Sequence, residues 1–143
     1  DKNSRPNDTA NPSNKRELNL VASYTLDKLS PGEDLLYVEA PESNKAGVLA
    51  KAKASGVALH LSYDLKPFKL SGRIEYAKDN SDNTDLVGLG NGNKAWTFTV
   101  TPAYTHGPLF LRGVLSYVKA DQSFTLNGKK DQTRVDVEVG FMF

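Results

Sequence analysis

Thr133-Arg134-Val135-Asp136-Val137-Glu138-Val139-Gly140-Phe141-Met142-Phe143 alternates without a break. Successive side chains of a strand point to opposite faces. Val135, Val137, Val139, Phe141 and Phe143 therefore share one side, and Arg134, Asp136, Glu138, Gly140 and Met142 the other. The stretch is a strand with one oily and one charged face. Alone it fits two architectures: a soluble sandwich with one face buried and the other wet, or a β-barrel whose oily face meets lipid.

The same design recurs upstream. Residues 17 to 26 set Leu18, Leu20, Ala22, Tyr24 and Leu26 against Glu17, Asn19, Val21, Ser23 and Thr25. Residues 56 to 65 set Val57, Leu59, Leu61, Tyr63 and Leu65 against Ala58, His60, Ser62 and Asp64. Residues 67 to 77 set Phe68, Leu70, Gly72, Ile74 and Tyr76 against Lys69, Ser71, Arg73 and Glu75. Residues 95 to 105 oppose Trp96, Phe98, Val100, Pro102 and Tyr104 to a row of threonines and alanines, and residues 108 to 119 oppose Leu109, Leu111, Gly113, Leu115 and Tyr117 to Phe110, Arg112, Ser116 and Val118. A weaker strand lies between Glu33 and Ala40, where Leu35, Leu36, Tyr37 and Val38 run together and blur the faces. The expectation is seven strands. Pro102 removes a ladder donor and so predicts a bulge or a strand end.

Composition excludes other classes. No apolar run is long enough for a membrane helix, while a hydrophobic fraction of 38% and a mean hydropathy of −0.48 fit a soluble domain or a barrel, since only alternate residues of barrel strands are oily. A net charge of +1 argues against nucleic acid as a partner, which would need a clustered basic excess. Zero cysteines exclude a disulfide scaffold and a thiolate metal site. Asp1-Lys2-Asn3-Ser4-Arg5 opens a polar stretch with no signal peptide, so a leader has been removed or the chain begins within a longer precursor.

Length and punctuation favour the barrel. A tilted strand needs about 9–11 residues to cross a bilayer, against about 5–6 for the usual globular strand, and six of the seven segments have the longer length. Tyr24, Tyr63, Tyr76, Trp96, Tyr104 and Tyr117 sit near the ends of apolar faces, where rings with a polar handle suit a membrane–water boundary as an aromatic girdle. Aromatic residues also favour strands in general. Tight links at 27–32, 66–67 and 106–108 alternate with long polar ones at 41–55, 78–94 and 120–132. Short periplasmic turns and long extracellular loops are the pattern of outer-membrane barrels.

The pieces Gly56-Val57-Ala58-Leu59-His60-Leu61-Ser62-Tyr63, Leu70-Ser71-Gly72-Arg73-Ile74-Glu75-Tyr76, Phe98-Thr99-Val100-Thr101-Pro102-Ala103-Tyr104 and Leu111-Arg112-Gly113-Val114-Leu115-Ser116-Tyr117 resemble the carboxyl-terminal half of Gram-negative β-barrel porins of the OmpL-like kind, over residues 17 to 143. The closing alternation through Phe141 and Phe143 likewise resembles the terminal strand that serves as the assembly signal of such barrels. The resemblance implies an all-β, antiparallel up-and-down transmembrane barrel in the cell outer membrane, passing small hydrophilic solutes and ions through a water-filled lumen. The implied partners are outer-membrane lipid and the barrel assembly machinery; a homo-oligomer is left open.

Seven strands put residues 1 to 16 outside the cell, although bacterial single-chain barrels have even strand numbers. Those residues therefore read as the remnant of an extracellular loop. The missing strands would come from an amino-terminal segment of the same barrel or from another chain, and an overlooked strand near 33 to 55 would allow eight.

With the oily face toward lipid, Glu17, His60, Asp64, Lys69, Arg73, Glu75, Arg112, Arg134, Asp136 and Glu138 line the pore, four basic and five acidic with His60 neutral. Mixed signs fit general diffusion, or the charges neutralise one another across strands. No catalytic residue, cofactor or metal is expected. Asp79, Asp82 and Asp85 lack the glycine and glutamate of an EF-hand loop, Gly88, Gly90 and Gly92 precede no helix, and His60, Ser62 and Asp64 stand side by side without the orientation of a triad. A structural or adhesive barrel and a soluble ligand-binding sandwich are the alternatives.

Overall fold

The computed structural model describes residues 15–40, 51–81, 86–90, 92–125 and 128–141. They form β1 (Arg16–Ser23), β2 (Leu29–Ala40), β3 (Ala52–Leu65), β4 (Phe68–Asp79), β5 (Lys94–His106), β6 (Leu109–Ala120) and β7 (Asp131–Phe141). The strands lie in a single seven-stranded sheet in sequence order, each antiparallel to the next. Of residues 1–16, expected as a loop remnant, 1–14 lie outside the described residues, as does Phe143, and Arg16 opens β1.

Alternation fixes the register. Val57 faces Tyr76, which faces Trp96, and Leu59 faces Ile74, which faces Phe98. A slip of one residue would send every apolar side chain to the polar side. The links alternate as expected: 24–28, 66–67 and 107–108 are short, and 41–51, 80–93 and 121–130 are long. All short links lie at one end of the sheet and all long ones at the other.

The blurred second strand is longer than its pattern suggested, running from Leu29 instead of Glu33. Asp27 and Lys28 make the turn, Asp27 in the left-handed region at φ 53, and Leu26 bridges Leu29. Pro31, which reads in sequence as a loop residue, is tolerated because its missing N–H points past the end of β1. There the Tyr24 amide donates to the Pro31 carbonyl at 3.0 Å.

Pro102 is accommodated by neither a bulge nor a strand end. Its pairing with Leu70 on β4 is continuous. On the β6 side the ladder lapses between Val100↔Leu115 and Ala103↔Arg112 and resumes in the same register. Gly113 stands beside it, and a Cβ there would meet Pro102 Cγ at 3.6 Å.

The two faces differ in shelter. Large apolar side chains of one face are open, Val137 by 74% and Leu59 by 59%, whereas Val38, Ala54, Ala58, Ala95 and Ala120 on the other are buried. Val38, Ala58 and Ala95 line one cavity with Leu86, Val87 and Leu89 of the β4–β5 link, whereas Val21 on the same face of the outer strand β1 is 62% exposed. Among the described residues β1 pairs only with β2 and β7 only with β6.

Phe110 is an aromatic residue on the polar face, paired with Gly140. A Cβ at Gly140 would lie 2.7 Å from Phe110 Cε1, so the ring lies over the glycine. Gly140→Val should lower stability by about 1–3 kcal/mol through overpacking, seen as a shifted urea midpoint in detergent. Phe110→Leu in the same chain should recover most of the loss.

Candidate functional site

The polar face carries a charge network built by register. Arg73 and Glu75 are two apart on β4, so both side chains leave the same face. Arg73 Nη2 lies 2.9 Å from Glu75 Oε2 and 3.6 Å from Asp34 Oδ2. The reach to β2 passes over Ala58, which pairs with both Asp34 and Glu75 and is only 3% exposed. Arg112 pairs with Glu138 directly across β6 and β7. Arg134 Nε lies 2.7 Å from Asp136 Oδ2 along β7. Six of the expected lining residues are thus brought together as ion pairs. Glu17, Lys69 and Asp64 make none among the described residues, and Asp64 instead accepts a hydrogen bond from the Lys66 amide at 3.1 Å.

His60, Ser62 and Asp64 do not converge. The His60 ring fills the space over Gly32, where a Cβ would collide with it, and Ser62 Oγ lies 2.8 Å from Ser71 Oγ. Thr99 and Ser116 continue this row of hydroxyls, with their oxygens 3.1 Å apart.

The opposite face carries two aromatic belts. Near the short links, Phe68 and Tyr104 have ring centroids 5.0 Å apart, with Tyr63 beside them through Leu70. Tyr24 lies just past the end of β1 at the same end of the sheet. Near the long links, Tyr76 and Trp96 are 4.9 Å apart and Trp96 stacks on Phe98 at 6.4 Å, while Tyr117 pairs with Phe98. Tyr37 adds to this second belt, donating to Glu39 at 2.8 Å. The run of apolar residues in β2 hid it, and only its phase with Leu35 marks it in the sequence. Phe68 to Tyr76, and Trp96 to Tyr104, are eight residue steps, or roughly 27 Å along the strand at about 3.4 Å per residue. At a barrel tilt of 35–45° this becomes about 20 Å of height, close to the apolar band of about 25 Å in outer-membrane barrels. Between the belts every outward position of the described strands is uncharged except Glu33, opposite Ala22 and Leu59.

Sequence reasoning missed how the β4–β5 link is fixed. Asp79 and Asn93 are almost fully enclosed, at 0% and 1% exposure. Asp79 was weighed only as a calcium ligand, with Asp82 and Asp85, which lie outside the described residues. Its carboxylate instead accepts the Ser81 amide at 2.8 Å and the Leu86 amide at 2.9 Å. Asn93 uses all its side-chain capacity. Its Oδ1 accepts the Lys94 and Gln122 amides, each at 2.9 Å, and its Nδ2 donates to the Leu89 carbonyl at 2.7 Å and the Gln122 carbonyl at 3.2 Å. Gly88, Gly90 and Gly92 have φ of 78, 87 and 65°, turn geometry that L side chains rarely adopt. Among the described residues no cluster of three metal-binding side chains occurs.

This arrangement defines a class: an antiparallel up-and-down sheet of barrel type, apolar and belted on one face and charged on the other. The chain matches the family described as Putative beta-barrel porin-2, OmpL-like, over residues 1–143, and belongs to that family. No curated protein and no solved structure matches it.

Removing a buried carboxylate that caps two amides leaves both donors without a partner. Asp79→Ala should therefore cost about 2–4 kcal/mol, and the Ser81 and Leu86 amides should lose hydrogen-exchange protection before the strands do.

Proposed function

We propose that this chain forms part of the wall of an outer-membrane porin through which small hydrophilic solutes and ions diffuse passively. The observation that carries the reading is the division of one sheet into an exposed apolar face between two aromatic belts and an opposite face of paired charges. Water must lie on the charged side and lipid on the other, because a bilayer offers nothing to satisfy Arg73, Arg112 or Arg134. The lining is then Glu17, His60, Asp64, Lys69, Arg73, Glu75, Arg112, Arg134, Asp136 and Glu138, and the girdle comprises Tyr24, Tyr63, Tyr76, Trp96, Tyr104 and Tyr117 with Tyr37. Among the described residues the outer edges of β1 and β7 have no partner strand, and lipid cannot pair their backbone donors and acceptors, so further strands close the wall, from the same protein or from another chain. Eight strands leave a lumen filled by side chains, whereas about 16 leave an aqueous channel.

The lipid-facing assignment separates two substitutions by sign. Val137→Arg should destabilise the barrel by about 2–4 kcal/mol near the bilayer midplane. Glu33→Leu should stabilise it, since a carboxylate is the less costly charge there but still a cost. Both are read from unfolding titrations in lipid vesicles, and the same sign for the pair would reject the assignment.

Ion passage is read in a planar bilayer. The purified protein should give discrete conductance steps. Replacing Arg73, Arg112 and Arg134 with glutamine leaves their carboxylate partners uncompensated, so the reversal potential in a salt gradient should move toward cation preference. A protein that inserts but does not conduct would favour a structural or adhesive barrel.

A further inference from the structure

The apolar face ends differently at the two ends of the sheet. At the long-link end each belt ring is followed on the same face by a cation: Lys78 lies two residues beyond Tyr76, Lys94 two before Trp96, and Lys119 two beyond Tyr117. Side chains two apart on a strand leave the same face. Lys51 and Lys53 continue the outward phase of β3, and Arg16 that of β1, with Arg16 and Lys53 on either side of Glu39 in register. All six cations are exposed. At the short-link end no outward strand position among the described residues carries lysine or arginine, and Lys28 and Lys66 lie in the turns themselves. Long cationic side chains that merely sought water would suit both ends alike. Two of the lysines are occupied, Lys51 Nζ at 3.0 Å from Glu39 Oε2 and Lys94 Nζ at 3.0 Å from Asp121 Oδ2. Lys53, Lys78 and Lys119 make no salt bridge among the described residues, although Lys119 stands across from Asp131. Lys78 stands directly across from Lys94, a like-charge pair that costs stability unless an anion shares it.

Resting on the membrane placement proposed above, we infer that these cations form a collar that binds the phosphate groups of an anionic lipid in the outer leaflet, with Lys53, Lys78 and Lys119 as its free contacts. Height fits this partner. Two residues are about 7 Å along a strand, or roughly 5 Å of height at a barrel tilt, and belt rings sit at headgroup level, so the ammonium groups reach the level of the phosphates. Width fits it too. From β3 to β6 is three strand spacings, about 14 Å, a footprint that a headgroup with two phosphates spans and a single free phosphate does not. The surface directly below the collar is apolar and open at Val57, Ile74, Phe98 and Leu115, which suits acyl chains and gives a soluble polyanion nothing. Charge above and hydrocarbon below together select an anionic amphiphile.

The test titrates the protein, extracted whole from membranes in mild detergent, with lipid A carrying two phosphates and with phosphatidylcholine, and reads the lipid-bound fraction by native mass spectrometry. The parent should retain lipid A in preference to phosphatidylcholine, less so as salt rises. A lysine near an anionic lipid surface contributes roughly five-fold in affinity, so Lys53→Gln, Lys78→Gln and Lys119→Gln together should weaken lipid A binding about ten-fold or more and leave phosphatidylcholine unchanged. Lys28→Gln with Lys66→Gln, at the other end of the sheet, should bind lipid A like the parent. A triple variant that retains lipid A as well as the parent would overturn the collar, and so would an equal loss in the Lys28 and Lys66 variant. Displacement of the lipid by inorganic phosphate at equal phosphorus concentration would overturn the lipid in favour of a free-anion site. Conductance of the parent separates the two levels. A non-conducting parent that retains lipid A would defeat the pore and support the collar, while a conducting parent without preference between the two lipids would defeat the collar alone.

Discussion

The constraint on which the structure depends is the satisfaction of backbone hydrogen bonds by strand pairing alone. From β2 to β6 every strand is paired on both sides, and the two prolines inside strands are placed where the lost donor does least damage. Pro31 turns its missing donor beyond the end of β1, and Pro102 turns its own toward the short lapse opposite Gly113. Neither proline breaks the register. An uninterrupted register is what lets one alternation in sequence become one continuous apolar face in space.

The charged face obeys a different economy. Arg73 is shared by Glu75 and Asp34, and Arg112 and Arg134 each take one carboxylate. Exposed ion pairs of this kind contribute about 0–1 kcal/mol each, too little to hold the sheet together. Their effect is on the field: paired charges lying across the wall give local polarity without a large net potential. That is compatible with the mixed lining expected from the alternation, in which neutralisation and lining would be two roles of the same residues.

Most of the fold was legible because the apolar period of two is strict in β3, β5 and β7. Where it failed, in β2, the cause is physical: Leu36 and Val38 sit on the polar face but beneath a covering segment, so burial overrode alternation there. The start of β2 was hidden for a related reason, since Pro31 and Gly32 are loop formers that here occupy a strand, Gly32 making room for the His60 ring. The inward course of 86–90 depends on tertiary hydrogen bonds to Asp79 and Asn93 that no local pattern announces. Its one trace in the sequence is the row of small residues, Ala54, Gly56, Ala58 and Ala95, on the polar phase of adjacent strands.

Small residues on a buried face are poor at filling a core, and a closed sheet lined by them would contain voids that cost stability. They are suited to a face that another piece of chain approaches closely. Asn93 provides the other requirement, because a segment crossing a hydrated interior competes with water for every backbone bond. An amide that makes four hydrogen bonds in an enclosed position removes that competition at the base of the link. Leu86, Val87 and Leu89 line the cavity that Arg73 also borders.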